Sequence, residues 1–330
     1  MRPRVLFVYQ LPAPFILTDR DLLRKFADVK EFRWFGRPHP ARLLTRWMLR
    51  NRAAFDIVFI WFGDAHASVA TRMARLLGKP SVLVAGGYDV NDLPGYGYLS
   101  TARGRRSARG HFSRATRILA VSDAIRRELV RRFPSTASKS EVLYLGVDVD
   151  RFRPGGHRER RVLSVAGAEG WKRAWVKGWD RIAEVARLLP DIPFRIVGAS
   201  RDVAEQLDPP PNLVVRPHAS EDELLAEYRA SPVYLQASRT EALSSAVMEA
   251  MACGCVPVVT NVGGMPELVG NAGLVTNEDP IEIAAAVRAA FDAQGLGVKA
   301  RSRVLQRFSL AAREEGLRRV IDGALARLSA

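Results

Sequence analysis

The stretch from Val233 to Val269, VYLQASRTEALSSAVMEAMACGCVPVVTNVGGMPELV, is the part of this chain that most constrains its fold. It carries two short apolar runs, Val233 to Gln236 and VPVVT, separated by a segment with helical spacing. Strands apolar on both faces belong inside a parallel sheet, and the helix between them is the crossover a parallel pair needs. Ser244 or Ser245 can cap that helix, which runs to about Ala252. Glu241 falls in the turn before it and Glu249 inside it, so both carboxylates can face one cleft. The open helix N-terminus offers unpaired N–H groups and a positive dipole end, which suits a diphosphate. Glu249, about one turn further in, is placed to accept hydrogen bonds from a sugar diol. Taken alone, an E-x7-E pair would be two solvated glutamates on a surface helix; the block around it argues for more.

The same alternation of strand and helix fills the chain. RVLFVY, a helix from about Thr18 to Phe26, EFRWF, a helix near Pro40 to Asn51 and DIVFIW open it. Helix Ala65 to Leu77, SVLVA, RILAV, a Ser122-capped helix and EVLY complete one Rossmann-like domain. RVLSVA starts a second. At 330 residues the chain suits two domains of about 150 residues each, divided at GVDVDRFRP into 1–150 and 151–308. No window reaches the apolar length of a membrane span, and MRPRVLFVY lacks the layout of a signal peptide, so a cytoplasmic location is expected. Cys253 and Cys255 flank Gly254 between a helix and a buried strand, where packing is expected rather than a disulfide or metal site.

The contiguous block of acidic pair, apolar helix, CGC turn, buried strand and GG-x-PE turn resembles the signature of the retaining glycosyltransferases of family 4 (group 1). The resemblance implies the GT-B fold: α/β, two Rossmann-like domains facing each other across a cleft, with a last helix at about 309–330 returning to the first domain. Leu310, Leu317, Val320, Ile321, Leu325 and Leu328 are the apolar stripe expected on that helix. It further implies a nucleotide diphosphate sugar as donor, with Glu249 on the ribose and Glu241 on donor-sugar hydroxyls. The family's lysine corresponds to Lys177 in Lys177-Gly178. Its arginine is absent at Ala168, and Lys172 or Arg173 of the loop AEGWKRAWVKG can replace that charge. The backbone N–H groups of Ala242, Leu243 and Ser244 stand where the family has a Gly-rich turn facing the donor. His218, in RPHAS, lies beside the expected place of the base. Asp89 follows a strand end, as ligand-binding groups do in open α/β sheets; it either orients donor or acceptor hydroxyls or serves as a turn carboxylate. Asp64 and His66 occupy a similar strand end. No cofactor and no metal are expected.

The net charge of +15 lies entirely in the first 153 residues, the remainder being balanced. In PARLLTRWMLRNR, Arg42, Arg46 and Arg50 share one helical face, with Leu43, Leu44, Trp47 and Met48 opposite. Further arginines follow in TARGRRSARGHFSRATR. One reading is an anionic membrane surface, with a peripheral location on the inner face of the plasma membrane and a lipid-linked or cell-envelope saccharide acceptor; the other is that the apolar face packs on the sheet and the arginines are solvated. A nucleotide-sugar epimerase of the same architecture is the nearest enzymatic alternative. A nucleic-acid partner is not expected, because the arginines are little interleaved with aromatics and no nucleic-acid module is visible.

Overall fold

The computed structural model describes residues 2–91 and 96–326. The chain divides into two units, Met1–Leu145 with Leu310–Ala330, and Gly146–Ser309.

In the first unit the strands are β1 (Arg4–Tyr9), β2 (Asp28–Arg33), β3 (Ile57–Trp61), β4 (Ser81–Ala85), β5 (Arg117–Ala120) and β6 (Ser140–Val142). The helices between them are α1 (Pro14–Phe26), α2 (Pro40–Arg50), α3 (Ala65–Leu76), α4 (Ala102–Arg114) and α5 (Asp123–Arg132). All strand pairs are parallel, in the order β2-β1-β3-β4-β5-β6. β3 and β4 are buried at every residue, as a sheet covered on both faces requires, while edge strand β2 exposes Asp28, Lys30 and Arg33, and charge at an edge blocks further pairing. Ser122 caps α5 by accepting from the Ile125 N–H at 3.3 Å.

The second unit runs β7 (Val162–Ala168), α6 (Trp171–Val176), α7 (Trp179–Leu188), β8 (Phe194–Ala199), α8 (Arg201–Gln206), β9 (Leu213–Arg216) and α9 (Glu221–Ala230). It continues with β10 (Val233–Gln236), α10 (Ser245–Ala252), β11 (Val256–Thr260), α11 (Met265–Val269), β12 (Leu274–Thr276), α12 (Pro280–Asp292) and α13 (Leu296–Arg307). The sheet order is β12-β11-β10-β7-β8-β9. From β7 the chain winds outward through β8 and β9, then returns to β10 on the other side of β7 and winds the opposite way. That reversal opens a crevice beyond the carboxyl ends of β7 and β10, where open α/β sheets bind ligands.

Several elements depart from the expectation drawn from sequence. The division falls at Leu145/Gly146, five residues earlier than expected, because the Val147 N–H donates to the Phe308 carbonyl at 2.8 Å and Asp148 closes the following turn by accepting from the Asp150 and Arg151 N–H groups. α1 begins at Pro14 rather than Thr18, since proline is suited to the first helical position. The arginine-rich segment forms α4, which buries Ala108, His111 and Phe112. The loop after β7 contains α6, started at Gly170 with φ of 82°.

The closing helix α14 (Leu310–Ala326) belongs to the first unit. It buries Leu317, Val320 and Ile321 as expected, and also Arg313, which the apolar stripe did not include. Arg313 donates to both oxygens of buried Asp19 at 2.8 and 2.6 Å and to the Leu143 carbonyl at 2.6 Å, while Trp61 Nε1 donates to Asp19 at 2.8 Å. Leu310 and Leu325 are half-buried, and Leu328 lies outside the described residues.

Candidate active site

Three chain segments meet at the switch point of the second sheet: α6 with Lys177 after β7, the turn 237–244 after β10, and the Gly263–Gly264 turn after β11. Buried polar groups under the turn hold it in place. The Thr260 hydroxyl donates to the Ser238 carbonyl at 2.6 Å, and the Gln236 amide donates to Ser238 Oγ at 2.7 Å. Tyr234 Oη donates to the Val165 carbonyl at 3.0 Å, tying β10 to β7. Each such buried group is satisfied inside the protein, so the network fixes a single loop conformation.

Glu241 and Lys177 come together: the ammonium donates to Glu241 Oε2 at 2.5 Å, with side chains only 13% and 17% exposed. Two glycines allow this approach. Gly178 has φ of 73°, and a Cβ there would stand 1.8 Å from the Ala237 carbonyl oxygen; at Gly263, with φ of 52°, a Cβ would stand 1.8 Å from the Glu241 carbonyl oxygen. No other residue type fits either place. The Gly264 N–H then donates to the Glu241 carbonyl at 3.1 Å, so the GG-x-PE turn clamps the peptide that carries the carboxylate.

Ser244 is the N-cap of α10 and accepts from the Val247 N–H at 3.4 Å. The N–H groups of Ala242, Leu243 and Ser244 find no backbone acceptor among the described residues. Glu249, in the second turn of α10, is half-buried and accepts from the Tyr228 hydroxyl at 2.8 Å. Desolvation pushes its carboxyl up to about 7, against the lowering effect of the Tyr228 bond. Burial and the neighbouring Glu249 raise the Tyr228 hydroxyl in turn, which keeps it a donor. A carboxylate with one hydrogen bond and spare lone pairs is a ready acceptor for a diol.

Arg173 is exposed on α6, its carbonyl accepting from the Lys177 N–H at 3.0 Å, and its side chain donates to the Gly167 carbonyl at 2.6 Å. Lys172 is exposed on the same helix, and His218 is exposed in the loop after β9. Asp89 corrects the expectation of a substrate contact. It is fully buried and accepts from the N–H groups of Gly63 at 2.8 Å, Gly87 at 2.9 Å and Gly86 at 3.1 Å. Burial pushes it up to about 6, opposed by those backbone bonds, so it is the turn carboxylate of the two roles considered. Asp64 caps α3, and His66 is fully buried, bonding through Nε2 to the Trp61 carbonyl at 2.7 Å. Tyr228 had no place in the sequence reading, and Gly263 entered it only as part of the GG-x-PE turn. The only advance signal for Tyr228 was a tyrosine on the inner face of a helix, whose hydroxyl needs a partner once buried.

Comparison with known proteins bears on the family and the fold. The family model described as Glycosyl transferases group 1 matches residues 172–307, and that described as Glycosyltransferase Family 4 matches residues 8–151. The D-inositol 3-phosphate glycosyltransferase of Mycolicibacterium vanbaalenii is 30% identical over 195 residues, 50% of this chain and 43% of the relative. That of Mycobacterium leprae is 28% identical over 172 residues, 47% of this chain and 40% of the relative. These matches span less than half the length of the curated relatives. Among solved structures, sucrose-phosphate synthase from Thermosynechococcus elongatus aligns with a TM-score of 0.81 at 13% identity, covering 99% of this chain and 100% of that one. Anabaena Alr3699/HepE in complex with UDP-glucose aligns with a TM-score of 0.75 at 16% identity, covering 97% and 99%. Two parallel six-stranded sheets, an acidic pair at the switch point of the second, and family matches to both halves lead to one conclusion: this chain belongs to the group 1, family 4 glycosyltransferases and has their GT-B fold.

Proposed function

We propose that this protein transfers a sugar from a nucleoside diphosphate sugar to a hydroxyl of a saccharide or lipid-linked acceptor, with retention of anomeric configuration. The observation that carries the reading is the grouping of Lys177, Glu241, Glu249 and the open N–H groups of residues 242–244 around one helix start. Glu249 accepts from the ribose hydroxyls. The N–H groups and the α10 dipole meet the diphosphate, and Lys177 neutralises charge as it develops on the leaving oxygen. Glu241 orients the donor sugar. The bond from the anomeric carbon to the diphosphate oxygen breaks, a bond to the acceptor oxygen forms on the same face, and the acceptor proton passes to the departing diphosphate. The complexes of Alr3699/HepE with UDP and UDP-glucose support a nucleotide-sugar donor.

Incubation with nucleotide sugars and candidate acceptors, followed by NMR of the anomeric proton, tests the reading. Donor consumption should require acceptor, and the product should keep the donor's configuration. Lys177→Ala should lower turnover by about 10²–10³-fold, the range for loss of one donor to a developing oxyanion. Acceptor-independent conversion of the donor to its epimer would favour the epimerase instead, and inversion at the anomeric carbon would remove retention.

A further inference from the structure

α2 packs on α3, and α3 on α4, so the three helices form one layer of the first unit. They contain ten arginines and no aspartate or glutamate. None of the ten takes part in an ion pair among the described residues. Asp64, at the start of α3, is buried and caps that helix. Burial and the nearby Arg72 and Arg75 hold the Arg114 guanidinium below its ordinary range, a sign of mutual repulsion across α3 and α4. A layer with this much unopposed charge is stabilised by an anionic partner.

The outward face of α2 is not purely cationic. At 3.6 residues per turn, Arg42, Arg46 and Arg50 fall within about 80° of one another, and Leu49 and Leu43 flank them on either side. Leu43 and Leu49 are 38% and 46% exposed, whereas Leu44 and Met48 are fully buried against the layer beneath. The expected apolar face is therefore split, one half serving the core and Leu43 standing beside the arginines. Between α2 and α3 lies a cavity of about 490 Å³ whose walls include Arg42, Thr45, Arg46, Ser68 and Arg72. Three arginines among the residues lining one cavity give it the side-chain chemistry that suits a phosphate.

We propose that the outer face of the α2–α3–α4 layer docks on an anionic phospholipid bilayer, with one headgroup phosphate in the α2–α3 cavity and Leu43 and Leu49 entering the interface. Exposed leucines flanking the arginines gain free energy at a bilayer surface and gain none along a nucleic-acid backbone, which distinguishes the two polyanions. No described helix is long and apolar enough to cross a membrane, so the attachment is to the surface. The docking is independent of the donor chemistry proposed above.

Co-sedimentation of the full chain with vesicles tests it. Equimolar phosphatidylglycerol and phosphatidylcholine should bind the protein, phosphatidylcholine alone should not, and salt of about 1 M, where the screening length is about 3 Å, should release it. Joint Arg42→Glu, Arg46→Glu and Arg72→Glu should lower partitioning on the order of a hundredfold or more. Leu43→Ser with Leu49→Ser, which touches no charge, should also weaken it. Unchanged circular dichroism and thermal unfolding establish that both variants are folded, and nucleoside diphosphate affinity, which belongs to the second unit, keeps failure of docking separate from failure of the donor site. Vesicle binding indifferent to the arginine reversal would overturn the proposal. So would binding that the leucine variant leaves intact and that inorganic phosphate or RNA abolishes, which would mark a site for soluble anions.

Discussion

Glu249 was legible at the level of the single residue because its place is set by a local pattern, a helix start and an offset along it. Its chemistry was not, because that depends on Tyr228, contributed by a different helix and bonded at 2.8 Å. The Lys177–Glu241 pair divides in the same way: each residue stands out in its own motif, whereas their contact at 2.5 Å, and the Gly263 that admits it, arise only when β7, β10 and β11 lie side by side. Desolvation holds Glu249 at about 7, above the ordinary carboxylate range, so its contribution to stability is complete below that range and is lost as pH rises through 7. Glu249→Gln should therefore be more stable than wild type at about pH 8.5, by on the order of 3 kcal/mol at most, and the gain should fade toward about pH 4. Thermal denaturation at both pH values checks this; an equal gain at each would show that the carboxyl is not shifted. Under the proposed contact, in which ribose hydroxyls donate to the ionised form, nucleotide affinity of the wild type should weaken as pH falls through 7, and that of the variant should stay flat.

Elements with apolar runs or regular spacing were read closely, and those whose spacing is obscured were not. β10 and β11 occupy their expected residues. α4 was missed because its inward face is made of small residues, a histidine and one phenylalanine set among arginines, and α6 because a glycine and a short insertion conceal its single buried side. α14 was recognised by its leucines, yet its most specific anchor is polar. Arg313 and Asp19, each almost fully buried, bind α14 to α1 with two charge-assisted hydrogen bonds. Asp19→Ala strands the guanidinium and should cost about 3–5 kcal/mol, whereas Asp19→Leu with Arg313→Met removes both charges and should recover much of that loss. Urea denaturation of the two variants reads the difference directly, and equal destabilisation would show that the pair acts through packing alone.

At the scale of the whole molecule, the two units share one architecture and differ in charge. The repeated alternation of strand and helix identified the architecture, while the division at Leu145/Gly146 was displaced from its expected place because backbone bonds near Val147 and Asp148 are invisible to composition. The excess of +15 was legible as a total, but its concentration on one acid-free helical layer required the order of the sheet. The central claim is that the second unit holds a nucleoside diphosphate sugar with Glu249 on the ribose and Glu241 on the sugar. The most direct measurement is calorimetric titration of wild type, Glu249→Ala and Glu241→Ala with a panel of nucleoside diphosphates that lack the sugar. Wild type should bind at least one of them, Glu249→Ala should bind it at least tenfold more weakly, as loss of a hydrogen bond worth about 1.5–3 kcal/mol requires, and Glu241→Ala should bind it nearly as wild type does. Equal affinity in all three proteins, or no binding by wild type across the panel, would contradict the account.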